Sequence, residues 1–186
     1  MKAYILSDRD YQTETYQRII ALLRGFFSSK DFEIEEAQIG RDDLAFCMGC
    51  FGCWVKKPGE CVINDAVSRL NRAQMNSDVV IFLSPVVFGQ FSANIKNAID
   101  RWLPNMLPFF VTRPDGSTMH PPRYEDYPSQ IIIGYADALS ERDKHLFIDI
   151  TRKHRSNIPE MNWRDNESQI AAALEQTRLE RAGGAL

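Results

Sequence analysis

The chain predicts an α/β fold: a doubly wound, five-stranded parallel sheet with helices on both faces, plus one long proline-rich arm. Three observations carry this. Short apolar runs alternate with segments of helical periodicity along most of the 186 residues, a pattern that calls for a parallel sheet with right-handed crossovers. The run Asp78-Val79-Val80-Ile81-Phe82-Leu83-Ser84 is apolar without interruption, as a parallel strand covered on both faces must be. A single connection, 103–129, breaks the alternation.

The elements follow in order. Lys2 to Ser7 reads as a buried strand, because a short apolar run ends in polar residues. Between Gln12 and Ser28, Tyr16, Ile19, Ile20, Leu23, Phe26 and Phe27 recur at helical spacing. Phe32 to Glu35 alternates and is more polar, as an edge strand would be. A helix is predicted over Asn64 to Met75, with Asn64 or Asp65 as its cap. After the central strand come a loop, Pro85 to Phe91, and a helix, Ser92 to Trp102. Gln130 to Gly134 is another buried strand and Leu139 to Lys153 another helix. A weak fifth strand is placed over Ile158 to Trp163, followed by a helix over Glu167 to Arg181 and a fraying Gly-Gly-Ala-Leu end. The main domain is thus drawn over 1–165, with 166–186 as a C-terminal helix and tail.

The arm, 103–129, holds Pro104, Pro108, Pro114, Pro121, Pro122 and Pro128, which forbid a long helix. Its aromatics Phe109, Phe110, Tyr124 and Tyr127 favour order over disorder. A connection of this length in a compact domain usually serves as a lid or a partner-binding arm.

Composition narrows the function. The chain is 44% hydrophobic and 25% charged with a net charge of −3, which argues against a nucleic-acid binder or a protein drawn to anionic membranes. No apolar run approaches the ~20 residues of a membrane span. The early acid Asp8 interrupts any signal-peptide core, so the expected location is the cytoplasm. His120, His145 and His154 read as packed or solvated side chains. Neither a Ser-His-Asp order nor a Gly-x-Ser-x-Gly elbow is present, so hydrolytic triads gain no support.

All four cysteines lie between Cys47 and Cys61. Cys47-Met48-Gly49-Cys50-Phe51-Gly52-Cys53 is a Cys-x2-Cys-x2-Cys run, and Pro58-Gly59 provides a turn that returns Cys61. Gaps of this size let three thiolates converge, and bacterial cluster ferredoxins share the spacing. Phe46, Phe51, Trp54 and Val55 would exclude water from such a centre. Zinc, a redox dithiol and four inert thiols are the competing readings.

In a doubly wound sheet, ligands bind beyond the carboxyl ends of the strands where strand order reverses. Here that edge offers Ser84-Pro85-Val86-Val87-Phe88-Gly89, with a stiff proline, flat aromatic walls and a glycine for close approach. Gly134-Tyr135-Ala136 supplies a second such loop. The stretch Ser84 to Arg101 resembles the second flavin-contacting loop and following helix of the flavodoxin-like NADPH-dependent FMN reductase family. The cysteine segment resembles that of the family's iron–sulfur flavoprotein branch. The resemblance covers roughly residues 1 to 136 in element order.

The resemblance implies a flavodoxin-like fold, FMN against Ser84 to Gly89 and Gly134 to Ala136, and a 4Fe-4S cluster on Cys47, Cys50, Cys53 and Cys61. It implies NAD(P)H as donor and a quinone, flavin or protein as electron acceptor, in a homodimer or homotetramer. No catalytic side chain is assigned, because the cofactor performs the chemistry. The FMN phosphate would be met by Ser7, Arg9 and Thr13, with help from Thr15. Yet that first loop lacks the family's usual glycine and carries Asp8, Asp10 and Glu14. A dianionic phosphate about 6 Å from Asp8 or Asp10 would meet roughly 5 kcal/mol of repulsion from each at an effective dielectric of about 20. The phosphate site is therefore atypical. It keeps open a second class of function, a non-catalytic flavodoxin-like metal or thiol sensor or partner-binding module without flavin.

Overall fold

Residues 1–153, 167–177 and 179–183 are described by a computed structural model. The elements are β1 (Lys2–Asp8), α1 (Glu14–Ser29), β2 (Glu33–Ile39), α2 (Gly52–Val55), α3 (Val67–Met75), β3 (Val79–Val87), β4 (Gln90–Phe91) and α4 (Ala93–Asp100). A 3₁₀ turn at Leu103–Asn105 opens the arm. Then come β5 (Val111–Thr112), β6 (Thr118–Met119), β7 (Asp126–Tyr127), β8 (Ser129–Tyr135), α5 (Glu141–Lys153), α6 (Glu167–Glu175) and β9 (Ala182–Gly183).

The sheet has the order β2-β1-β3-β8, all parallel, with β4 running antiparallel on the end of β3. Its register places Ala3 beside Ile34 and Val79, and Val79 beside Ser129. Side chains alternate across it with period two. Ala3, Ile5, Val79, Ile81, Leu83, Ile131 and Ile133 pack against Ile19, Leu23 and Phe27 of α1 and Ile170 and Leu174 of α6. Tyr4, Leu6, Val80, Phe82 and Ile132 face Leu70 of α3, Ile95 and Ala98 of α4, and Phe147 of α5. The flavodoxin-like doubly wound fold is thereby established. β1 sends its chain to β2 on one side and receives β3 on the other, so the strand order reverses between β1 and β3.

Among the described residues the parallel sheet has four strands; the expected fifth, at 158–163, lies outside them. Three differences from the sequence expectation have physical causes. β3 runs on to Val87 and returns as β4, so Pro85 to Phe91 is a hairpin rather than a loop. Its two central residues, Phe88 and Gly89, have φ of 50° and 72°, as a type I′ turn requires. α3 begins at Val67 rather than Asn64, because Asp65 is held outside it. Asp65 Oδ1 accepts the Val67 N–H while Oδ2 accepts the Ala45 N–H. α6 ends at Glu175, short of Arg181. Arg181 instead donates to the carbonyls of Met75 and Ser77, and Ala182–Gly183 pairs with β7; of the Gly-Gly-Ala-Leu end expected to fray, only Gly183 lies within the described residues.

The arm is built from short pieces pinned to the body. Trp54 Nε1 donates to the Met106 carbonyl at 2.9 Å, and Arg123 Nε to the Pro104 carbonyl at 2.9 Å. Tyr127 Oη donates to the Asn105 carbonyl and accepts from the Arg123 N–H. These bonds satisfy backbone groups that its prolines leave without ladder partners. No helix among the described residues is long and apolar enough to cross a membrane.

Candidate functional site

In this fold the reversal of strand order marks a ligand crevice at the carboxyl ends of β1 and β3, where the first loop (8–13) and the β3–β4 hairpin emerge. The hairpin is held by neutral groups. Ser84, fully buried, donates through Oγ to the Pro85 carbonyl at 2.9 Å and accepts the Ser92 N–H at 3.2 Å. Ser92 also caps α4 by accepting the Ile95 N–H. Pro85 and Val86 are buried, Val87 half-buried, and Phe88 is 88% exposed at the tip. A Cβ on Gly89 would lie 2.8 Å from Leu146 Cδ2 of α5, so only glycine fits both the turn and the packing.

Gly134 is buried at the end of β8 and Ala136 half-buried just beyond it. Tyr135 is a core residue, not an open wall. Its ring centroid sits 5.9 Å from that of Tyr16, and its hydroxyl donates to the Tyr11 carbonyl at 2.8 Å. Burial, and then the nearby Asp8, push the Tyr135 hydroxyl far above its ordinary pKa, so it stays a donor.

The first loop is held by charge. Arg9 Nη1 pairs with Asp43 Oδ2 at 3.0 Å and Nη2 donates to Oδ1 at 3.2 Å. The Gly40 N–H, together with Arg9, holds the Asp43 carboxyl below the usual carboxylate range. Ser7 Oγ shares a hydrogen bond with Tyr16 Oη at 3.2 Å, and Thr13 is the N-cap of α1, accepting the Tyr16 N–H. Thr15 Oγ1 donates to Asp137 Oδ1 at 2.6 Å, which holds that carboxyl low as well. Asp8 is fully buried: Oδ1 accepts from the Asp10 N–H and Asn94 Nδ2, both at 2.9 Å, while Oδ2 is buried without a partner. Asp10 Oδ2 accepts from the Arg41 N–H and Asn94 Nδ2. The hairpin and Gly134 to Ala136 suit a flavin ring. The first loop, with its guanidinium engaged by Asp43, does not suit a phosphate dianion.

The cysteine segment lies beside the same edge. Gly49 and Phe51 adopt positive φ of 62° and 54°, which lets the chain turn sharply between cysteines. Cys47 and Cys50 are exposed, Cys61 half-buried and Cys53 buried, and all four are free thiols. Burial, and next the neighbouring thiols of Cys61, Cys47 and Cys50, push the Cys53 thiol up, so the four sulfurs share one electrostatic neighbourhood. Among the described residues, however, no three His, Cys, Asp or Glu side chains converge on a point that would hold a metal ion. The four expected ligands lie in one loop, Cys47 to Cys61. The donor set suits iron–sulfur chemistry, where each thiolate takes a different iron.

Sequence reasoning missed the polar stripe of α4. Asn94, Asn97 and Arg101 recur at helical spacing beside the apolar Ile95 and Ala98, and that spacing was the available signal. Asn94 holds Asp8 and Asp10. Asn97 Nδ2 donates to the carbonyls of Leu44 and Ala45. The Arg101 guanidinium, 2% exposed, pairs with Asp65, donates to the Ala45 carbonyl, and donates to Cys61 Sγ at 3.1 Å. One helix thus ties together the first loop, the second loop and the cysteines. Beyond Cys61, a cleft of about 600 Å³ opens between α3 and the arm, bordered by Asn71, Met75 and Tyr124.

Fold and crevice together define a flavodoxin-like α/β protein with a flavin-type edge. The family model for NADPH-dependent FMN reductase matches residues 14–110, more than half of the chain. The chain belongs to that family, and its relatives align it with the iron–sulfur flavoprotein branch. It is 41% identical over 73 residues to an iron–sulfur flavoprotein of Archaeoglobus fulgidus, covering 39% of this chain and 32% of that one. To an iron–sulfur flavoprotein of Methanocaldococcus jannaschii it is 33% identical over 82 residues, covering 44% and 42%. The match thus spans less than half the length of these curated relatives. Among solved structures, a putative quinone reductase from Klebsiella pneumoniae superposes with a TM-score of 0.64 at 12% identity, over 95% of this chain and 84% of that one. An NAD(P)H:quinone oxidoreductase from Methanothermobacter marburgensis gives 0.61 at 13% identity, over 95% and 92%. Likeness at that identity is one of fold.

Proposed function

We propose that this chain is a flavin-dependent oxidoreductase that takes electrons from NAD(P)H and passes them to a quinone, a flavin or a protein acceptor. The observation that carries this is the rigid, neutral β3–β4 hairpin facing the β1/β3 reversal, in a chain of the FMN reductase family. The main chain of Pro85 to Gly89 and of Gly134 to Ala136 would hold the ring edge, and Phe88 would shield a face from water. A bound flavin supplies hydride acceptance and both one- and two-electron transfer. Tyr135 positions the first loop and donates no proton, since its hydroxyl is held by the Tyr11 carbonyl.

Cys47, Cys50, Cys53 and Cys61 would hold a 4Fe-4S cluster, which supplies one-electron steps, with Arg101 donating to the Cys61 sulfur. Exposed Phe46, Met48, Phe51, Val55, Phe109 and Phe110 on the cysteine loop and arm support a homodimer or homotetramer. A cytoplasmic location agrees with free thiols. The acidic first loop favours one second reading, a flavin-free sensor or partner-binding module.

A visible spectrum and an NAD(P)H oxidation assay separate the two. The oxidoreductase binds added flavin, gains a yellow colour and consumes NAD(P)H in its presence. A protein that stays colourless, binds no flavin at millimolar concentration and leaves NAD(P)H intact would be the module.

A further inference from the structure

We propose that the crevice selects a flavin whose side chain ends in a hydroxyl, of the riboflavin type, over one ending in a phosphate, with Asp8 and Asp10 as the specificity-determining residues. This rests on the flavin reading above and concerns only the tail of the ligand. The first loop joins β1 to the N-terminus of α1, where a helix ordinarily greets an anion. Here that terminus is ringed by Asp8, Asp10, Glu14 and Asp137. The loop's own cation, Arg9, is engaged twice by Asp43. The Thr13 hydroxyl, which could have met a phosphate oxygen, accepts the Tyr16 N–H and gives its own hydrogen to Asp137.

Carboxylates on a flexible loop would swing into water and lose their effect. These are pinned. Asn94 Nδ2 bridges Asp8 Oδ1 and Asp10 Oδ2, the Asp10 N–H returns to Asp8, and the Arg41 N–H holds Asp10. The repulsion felt by an approaching dianion is therefore built in. Asp8 Oδ2 is buried with no donor, so no hydrogen bond offsets its share of the carboxylate charge. A ligand hydroxyl carries no charge for these carboxylates to repel, whereas a phosphate near neutral pH carries about −1.5 to −2. The family match, moreover, begins at Glu14, after this loop.

The test is a fluorescence-quenching titration of the full chain with riboflavin and with FMN at neutral pH and low salt. Riboflavin is expected to bind more tightly than FMN. Asp10 is exposed, and in Asp10→Asn the side-chain carbonyl can still accept from Arg41 and Asn94. Because Asp10 faces water, where the dielectric is about 80 rather than 20, removing its charge should improve FMN binding relative to riboflavin by about tenfold. FMN binding as tightly as riboflavin or more tightly to the unaltered chain, or an unchanged ratio in Asp10→Asn, overturns the specificity and leaves the flavin reading standing. Failure of both flavins to bind overturns that reading, and the specificity with it.

Discussion

Two walls of one crevice are built from opposite materials. The β3–β4 hairpin is fixed by a serine pair, a proline and a glycine packed on Leu146, and no ionised group belongs to it. The first loop, facing it, is fixed by an Arg9–Asp43 ion pair and by carboxylates bridged through Asn94. A neutral, shape-defined wall suits a planar heterocycle, because main-chain groups can meet its edge without selecting charge. A charged wall acts at longer range and selects by sign. Head and tail of one ligand can thus be chosen by separate parts of the fold, and one wall can diverge while the other keeps the family pattern.

The largest expected effect tests what joins the walls to the cysteines. Arg101→Gln removes the buried partner of Asp65 and the donor to Cys61, and should cost about 3–5 kcal/mol of stability in a urea titration. A loss below about 1 kcal/mol, the scale of exposed ion pairs, would show that α4 does not anchor the site through this residue.

Next is the neutral wall itself. Gly89→Ala places a side chain at positive φ and against Leu146, for about 1–3 kcal/mol, and should weaken riboflavin and FMN equally, since only the ring side moves. A flavin-selective effect would merge the two walls into one. Tyr135→Phe is smaller: losing the bond to the Tyr11 carbonyl should cost about 1 kcal/mol in thermal melts, with the Gly89 turn unaffected.

Acid should act on the charged wall before the neutral one. The Asp43 and Asp137 carboxyls are held below their unfolded values by Gly40 and Arg9 and by Thr15. A depressed folded pKa gives stability that is full above the unfolded value of about 4 and is lost as pH falls through the folded one. Fluorescence and thermal melts below pH 4 should therefore show the first loop loosening before the β3–β4 hairpin, by a small margin, as both groups face water. Equal loosening would end the distinction.

Much of this was legible in residue order. The continuous apolar run of β3, the helical spacing of α1 and the stretch from Ser84 to Arg101 each report on neighbours within a few residues. Those positions led to the edge that forms the crevice. Tyr135 was expected as an aromatic wall, but its place in β8 turns it into the core, where its hydroxyl ties β8 to the first loop. Arg9 and Thr13 were expected to meet a phosphate; Arg9 pairs with Asp43, and Thr13 caps α1 and bonds Asp137, partners that lie beyond the immediate neighbours in sequence. Arg101 went unnoticed because nothing near it in sequence announces Cys61 or Asp65.

The sequence by itself determined the alternation of strands and helices, the sheet edge, and the clustering of four thiols in one loop. Those follow from periodicity and spacing, which are properties of a short stretch of chain. Only the tertiary structure decided that Arg9 turns to Asp43, that Asn94 clamps Asp8 and Asp10, and that Arg101 reaches the Cys61 sulfur. The partners there come from loops distant along the chain, and electrostatic pairing depends on where those loops meet in space.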